Sequence, residues 1–144
     1  FNPLIGINAD GYGPRFNDMS DGYHKKYRDQ LIKTANKIDQ KVYEGIYCMY
    51  SGPNFETPAE INALKVIGGN AVGMSTIPEV LVANHCGLPV IAISVITNLA
   101  AGMNKTKLSH QETLENAALA ENNIINLIKN YIHDVKLDDS SGNN

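Results

Sequence analysis

Three short polar segments, each at the end of an apolar stretch, carry the side chains best suited to chemistry. Phe55 and Glu56 follow a Gly-Pro turn, where a ring can cover a flat ligand and a carboxylate can accept hydrogen bonds from ring N–H groups. Ser75 and Thr76 follow a glycine and precede a helix start, where hydroxyls and free amides suit an anion. Asn98 ends an apolar run with an amide that both donates and accepts.

The same side chains also have purely structural interpretations, and the sequence leaves these open. A Ser/Thr pair before a helix is most often a helix cap. Phe55 can anchor a loop, and Glu56 can be a favourable charge near a helix N-terminus. No two of the four histidines have metal-ligand spacing, so no metal site is expected. His85 and Cys86 are adjacent and point in different directions, which makes them a poor base–nucleophile pair.

Helix-start signals and apolar runs define the elements that would position these side chains. Three segments match a capping box, in which a Ser or Thr and a Glu bond each other's backbone amides: residues 57–60, 76–79 and 109–112. The first two boxes predict helices that end near Ile67 and at Gly87, and a separate apolar stripe predicts a helix from Asp18 to about Lys37. Short apolar runs predict three buried strands: 45–50, 71–74 and 89–96.

The third box opens the longest predicted helix, whose apolar stripe should face a core: Leu114, Ala117, Ala118, Ile124, Ile125, Ile128, Tyr131 and Ile132. Apolar strands that alternate with helices are typical of an α/β domain with helices on both faces of the sheet. In such sheets ligands bind beyond the carboxyl ends of the strands, so the three polar segments are expected to form one rim. Residues 1–133 are predicted as the domain and 134–144 as a disordered polar tail.

Composition excludes several classes of protein. The chain has 144 residues and a formal net charge of −3, which argues against a nucleic-acid-binding module with a basic face. No apolar run approaches the ~20 residues of a membrane span, and no signal peptide is visible. Two cysteines form no disulfide framework, so we expect a reducing, cytoplasmic environment.

In combination, these segments resemble the trimeric class of purine nucleoside phosphorylases, within the family that also holds the methylthioadenosine phosphorylases. The motifs are GYGPRFNDMSDGY, GPNFETPAE, AVGMSTIPEVLVANHCGLPV, ITN and LSHQE, in that order. The resemblance implies a phosphorylase/hydrolase-like fold with a mixed β-sheet. It also implies cleavage of the N-glycosidic bond of purine nucleosides by phosphate, which gives free base and ribose 1-phosphate without a metal or other cofactor.

The resemblance assigns the base pocket to four residues of this sequence. Glu56 would bond the purine ring N–H, and Asn98 would support the ring nitrogen and the 6-oxo group as the base departs. Phe55 and Val72 would line the pocket. Relatives that act on methylthioadenosine are similar in carrying aspartate where this chain has Asn98, so the asparagine favours inosine and guanosine.

The resemblance assigns the sugar and phosphate contacts to five further residues. Met74 would pack under the ribose, Ser75 would bind phosphate, and Tyr47 and His110 would contact ribose hydroxyls. Phe16 would reach into the site of a neighbouring subunit in a homotrimer.

The family's chain is about twice as long, and the likeness covers only its C-terminal half. The other half would bring a Gly-rich phosphate loop and the main Arg and His phosphate ligands. The 144-residue chain is therefore expected to be inactive by itself. Two alternatives stay open: a non-catalytic purine-binding or interaction module of the same fold, and an α/β domain whose rim motifs are only caps and turns.

Overall fold

The computed structural model describes residues 2–103 and 109–136. Within these ranges the chain forms helices and strands in the following order: α1 Lys25–Lys37, β1 Tyr47–Met49, α2 Pro58–Val66, β2 Ala71–Gly73, α3 Ile77–His85 and α4 His110–Asp134.

Strands β1 and β2 form a parallel pair, as the first two predicted strands would in an α/β domain. Tyr47 pairs with Ala71, Cys48 with Val72 and Met49 with Gly73. Parallel strands need a crossover connection, and α2 provides it. The α/β class is therefore confirmed, with strands shorter than the apolar runs predicted.

Helix α2 begins where the first capping box predicts. The Thr57 side chain accepts a hydrogen bond from the Glu60 amide at 3.3 Å, and the Glu60 carboxylate accepts one from the Thr57 amide at 2.7 Å. Pro58 occupies the first helical position, where its missing N–H costs nothing. The box depends only on residues close in sequence, which is why the sequence predicts it correctly.

Helix α1 begins seven residues later than the predicted start at Asp18. The Asp18 carboxylate accepts hydrogen bonds from the amide and hydroxyl of Ser20 at 2.8 and 2.6 Å. The Gly22 amide then donates to the Met19 carbonyl at 3.2 Å. These bonds hold residues 18–22 in turns, since a short acidic side chain competes with helical bonding.

The predicted third strand is wrong as a strand: residues 89–96 form no ladder with any described residue. The Val90 carbonyl accepts a hydrogen bond from the His24 amide at 2.8 Å, and Ile91 packs against the core. Residues 92–96 are all exposed. A strand requires a partner backbone as well as an apolar sequence, and the described residues place none beside this segment.

The core lies between α1 and α4, where Leu31, Ala35 and Leu127 form a buried cluster. Leu127 lies outside the predicted stripe of α4. Of that stripe Tyr131 packs on the cluster, whereas five members are exposed: Leu114, Ala118, Ile125, Ile128 and Ile132. The prediction that the whole stripe faces a core is therefore wrong for the described residues, because α1 covers only part of α4.

The C-terminal end of α4 is fastened to α1. Asp134 forms an ion pair with Lys37 at 2.9 Å, and the Lys136 amide donates to the Gln30 side chain at 3.0 Å. The first three residues of the predicted tail therefore continue the ordered chain. Residues 137–144 lie outside the described residues, so the predicted domain boundary stays a prediction.

Candidate active site

The first polar segment connects β1 to α2 and buries a carboxylate. Glu56 is 7% exposed, and its carboxylate has no hydrogen-bond or ion-pair partner among residues 2–103 and 109–136. A carboxylate without a protein partner is free to accept hydrogen bonds from a ligand, which makes Glu56 a candidate binding residue. Phe55 beside it is 38% exposed and can cover a flat ligand.

A hydrogen-bond network fixes this segment to the start of α2. The Tyr50 hydroxyl donates to Glu60 at 2.5 Å, and the same carboxylate bonds Thr57 through its backbone and hydroxyl. Because these bonds stabilise the ionised carboxyl, they lower the pKa of Glu60, and the pKa of Tyr50 is raised. Sequence analysis missed Tyr50, although its place directly after β1 is compatible with such a bond.

The second polar segment follows β2. Gly73 lies so close to Tyr47 that any side chain there would collide with the tyrosine hydroxyl. A Cβ atom on Gly52, whose φ is +63°, would lie 2.5 Å from the Met74 sulfur. These approaches place Tyr47 and Met74 at the β1–β2 edge, beside the loop that carries the first segment.

The capping box predicted for residues 76–79 is wrong. Thr76 has a φ of +75°, and its side chain caps no amide of α3. The Thr76 hydroxyl instead lies 3.2 Å from the hydroxyl of exposed Ser75. A positive φ turns the side chain away from the helix amides, and for a β-branched residue it is strained.

The third polar segment is held by helix α4. The Asn98 amide donates to the Thr113 hydroxyl at 3.0 Å, and the Asn116 amide donates to the Thr97 carbonyl at 2.6 Å. His110 is the exposed first residue of the same helix, directly after the capping residue Ser109. Sequence analysis missed Thr113 and Asn116, which lie three residues apart on one face of α4.

The loop after Asn98 returns to the first segment. A Cβ atom on Gly102 would lie 2.8 Å from the Cβ atom of Pro58, so this loop lies against the start of α2. Of the nine predicted site residues, six lie on β1, on β2 or in the segments that follow these strands: Tyr47, Phe55, Glu56, Val72, Met74 and Ser75. Two more lie at α4, since Asn98 bonds Thr113 and His110 begins the helix.

Phe16 is the exception among the predicted site residues. It is 88% exposed and contacts none of the others through any hydrogen bond or ring contact in the described chain. A cavity of about 320 Å³ does lie between the N-terminal segment and the end of α3, but no predicted site residue lines it.

Two further properties bear on the class of site. Across residues 2–103 and 109–136, no three His, Cys, Asp or Glu side chains converge as a metal site would require. None of the helices in that part of the chain combines the length and apolarity needed to cross a bilayer.

Comparison with known proteins identifies the fold and the family. The family model described as the phosphorylase superfamily matches residues 1–133. Purine nucleoside phosphorylase 1 of Geobacillus stearothermophilus is 44% identical over 134 residues, which are 93% of this chain and 49% of the relative. A Schistosoma purine nucleoside phosphorylase structure with hypoxanthine has a TM-score of 0.90 at 34% identity, covering 94% of this chain and 50% of that one.

Two Schistosoma mansoni structures, one with inosine and one with adenosine, align at the same TM-score of 0.90 and 35% identity. The chain spans about half the length of the curated relatives it matches. The family model covers almost all of this chain, and both sequence and fold agree with it. The chain therefore belongs to the phosphorylase superfamily, and purine nucleoside phosphorylases are among its relatives.

Proposed function

We propose that this chain carries the base-binding and ribose-binding half of a purine nucleoside phosphorylase site. The reaction joins phosphate to the anomeric carbon of the nucleoside, breaks the N-glycosidic bond and releases the free purine. The observation that carries the proposal is Glu56, a residue 7% exposed at the end of the segment between β1 and α2, whose carboxylate has no hydrogen-bond or ion-pair partner among the described residues. Relatives solved with hypoxanthine and inosine support a purine as its ligand.

The base-binding residues act through hydrogen bonds to the purine that become stronger as the N-glycosidic bond breaks. The transition state has a cationic sugar, and electron density flows onto the purine. Glu56 accepts a hydrogen bond from a ring N–H, and the Asn98 amide, steadied by Thr113 at 3.0 Å, bonds the ring nitrogen and the 6-oxo group. Groups that bind the departing base better than the bound nucleoside lower the barrier. Phe55 and Val72 cover its faces.

The sugar and phosphate are positioned from the β1–β2 edge. Met74 packs under the ribose, while Tyr47 and His110 bond its hydroxyls. Ser75 binds phosphate, which acts as nucleophile and counter-charge, so orienting it against the sugar supplies much of the acceleration. Phe16, 88% exposed, completes the site of a neighbouring subunit in a homotrimer.

Three further properties belong to the proposal. Phosphate is the co-substrate, and no metal or other cofactor takes part. The enzyme is cytoplasmic. By itself the 144-residue chain is inactive, since Ser75 is the one phosphate contact assigned to it and one hydroxyl cannot hold a divalent anion.

Calorimetry with guanine tests the proposal on the chain itself. A hydrogen bond to a charged group contributes about 1.5–3 kcal/mol, so Glu56→Gln should weaken binding at least tenfold. Glu79→Gln, at an exposed position of α3, is the matched control and should leave the affinity unchanged. Equal affinity of the Glu56→Gln and unsubstituted chains would contradict the assigned role.

Base preference tests the role of Asn98. Asn98→Asp exchanges an amide that donates to a 6-oxo group for a carboxylate that accepts from a 6-amino group. The ratio of hypoxanthine to adenine affinity should fall about tenfold, roughly the effect of one hydrogen bond. The matched control Asn123→Asp, at an exposed position of α4, should leave that ratio unchanged. An unaltered ratio in Asn98→Asp would refute the assignment.

A further inference from the structure

Two polar side chains of α4 hold the residues that follow the apolar run 89–96. The Asn116 side-chain amide donates to the Thr97 carbonyl at 2.6 Å, which fixes the backbone directly before Asn98. The Thr113 hydroxyl accepts a hydrogen bond from the Asn98 side-chain amide at 3.0 Å. Asn98, Thr113 and Asn116 are all half-buried. Helix α4 therefore controls both the position of Asn98 and the orientation of its side chain.

The Thr113 hydroxyl can act only as an acceptor toward Asn98. A hydroxyl carries one hydrogen, and Thr113 donates it to the Ser109 carbonyl one turn earlier, at 3.2 Å. The Asn98 atom that faces Thr113 must therefore be a donor, which is Nδ2 and not Oδ1. A flipped amide would place two oxygens against each other, unless Thr113 gave up its bond to Ser109. These two bonds together select one of the two orientations of the Asn98 amide.

The selected orientation leaves Asn98 with one acceptor and one donor for a ligand. Among residues 2–103 and 109–136, the Asn98 Oδ1 atom has no hydrogen-bond partner. The second hydrogen on Nδ2 meets the Thr97 hydroxyl at 3.4 Å, which is longer than an ordinary N–H···O bond. A ligand oxygen can therefore replace the Thr97 hydroxyl as its acceptor.

The two classes of purine present opposite patterns to such an amide. A 6-oxopurine has an acceptor at the 6-oxo group, and the departing base can carry a proton on the neighbouring ring nitrogen. It therefore matches an amide whose Nδ2 lies toward the 6-position and whose Oδ1 lies toward the ring nitrogen. A 6-aminopurine has a donor at the 6-position and an acceptor at the ring nitrogen, so it needs the flipped amide.

We propose that Thr113 is a positioning residue that sets the base preference of the site, because it holds the Asn98 amide in the orientation that suits 6-oxopurines and opposes 6-aminopurines. The inference rests on the proposed function for the contact between Asn98 and the base. Thr113 acts through the Asn98 amide and not through a contact of its own with the purine. The preference for a 6-oxo group thus depends on the hydroxyl at position 113 as well as on the asparagine.

Calorimetry with hypoxanthine and adenine measures this effect in a matched pair of variants. Thr113→Val keeps the shape of the side chain but removes the hydroxyl, so the ratio of hypoxanthine to adenine affinity should fall about fivefold, the factor for one neutral hydrogen bond. Thr113→Ser removes the methyl group but keeps the hydroxyl, and it should retain the ratio of the unsubstituted chain. A merely structural role of Thr113 would weaken the binding of both purines together and leave the ratio unchanged.

Nuclear magnetic resonance of the ligand-free chain tests the amide orientation independently. The pair of side-chain amide signals that disappears in Asn98→Asp belongs to Asn98. In the unsubstituted chain, one proton of this pair should show an Overhauser contact with the Thr113 side chain. Circular dichroism and urea unfolding show whether Thr113→Val keeps the fold. If it does not, the Overhauser contact in the unsubstituted chain decides the question.

Three results would each overturn the assignment of Thr113: an unchanged ratio in a folded Thr113→Val chain, an equal fall in Thr113→Ser, or absence of the Overhauser contact. The proposed function fails in a different way, since Glu56→Gln would then leave guanine affinity unaltered. A chain that binds neither purine would refute the proposed function and the role of Thr113 with it. Purine binding that responds to Glu56→Gln, with an unchanged ratio in Thr113→Val, would refute the role of Thr113 alone.

Discussion

Replacing Glu56 by glutamine tests whether its carboxylate binds a ligand or stabilises the fold. The side chain is 7% exposed and has no partner among the described residues. In the free chain the residue is therefore largely shielded from water, while its carboxylate gains neither an ion pair nor a hydrogen bond. Glutamine has nearly the same shape but no charge, and its amide costs less to bury.

The expected change is a gain in stability. The carboxylate oxygens keep some contact with water, so the cost of the unpaired charge is small, and Glu56→Gln should raise the free energy of unfolding by up to about 1 kcal/mol. With a urea slope of ~2 kcal/mol per molar for a small domain, the unfolding midpoint should rise by up to about 0.5 M. The same substitution should weaken guanine binding, so that stability and binding move in opposite directions.

Glu79→Gln is the matched control for stability as well, because its side chain is exposed on α3 and the change should stay within about 0.5 kcal/mol. Urea unfolding followed by circular dichroism measures both variants against the unsubstituted chain. A loss of stability in Glu56→Gln would refute the reasoning. It would show that the carboxylate stabilises the fold, and the interpretation of Glu56 as a favourable charge near a helix start would take its place.

Two other predictions concern the helix ends. Thr57→Ala should lower the free energy of unfolding by about 1 kcal/mol, the usual loss of an N-cap bond. Thr76→Ala should change the free energy of unfolding by less than about 0.5 kcal/mol, because the Thr76 hydroxyl caps no amide of α3. Equal losses of stability in urea unfolding would contradict this difference between the two predicted capping boxes. Bonds to His133 and then Lys37 lower the pKa of Asp134 below its ordinary 3.8, so its stabilising effect is fully present above that pH and is lost as the pH falls through the folded value. Asp134→Asn should therefore flatten the acid side of the stability profile, and an unchanged slope below pH 3.8 would refute the coupling.

The features that sequence analysis predicted correctly depend on neighbours in sequence. Three such features depend on only a few neighbouring residues, and the structure contains all of them: the capping box at Thr57, Pro58 at the first position of α2, and the end of α3 before Gly87. The late start of α1 departs from prediction for an equally local reason, since Asp18 bonds Ser20 in a turn. An apolar stripe indicates which face of a helix is buried, but it does not reveal turns that compete with the helix.

The features that sequence analysis missed depend on partners distant in the chain. Residues 89–96 have the composition of a strand, but a ladder is a property of two segments, and the described chain supplies only one. The burial of Glu56 and the bond from Asn98 to Thr113, fifteen residues further on, are likewise tertiary. The sequence therefore predicts the chemical types of the candidate site residues, and it does not show which side chains orient them.

Thr76 shows how a failed local prediction can point to function. The residues 76–79 offer a good capping box, yet the backbone adopts a φ of +75° there, at a cost of about 1–3 kcal/mol for a strained residue. A formed cap would direct the hydroxyl to the amides of α3. The observed turn instead places it 3.2 Å from the hydroxyl of exposed Ser75, so two neighbouring donors stand at the helix start. Because local rules are broken most often where a site needs it, this departure supports the proposal that the segment binds phosphate.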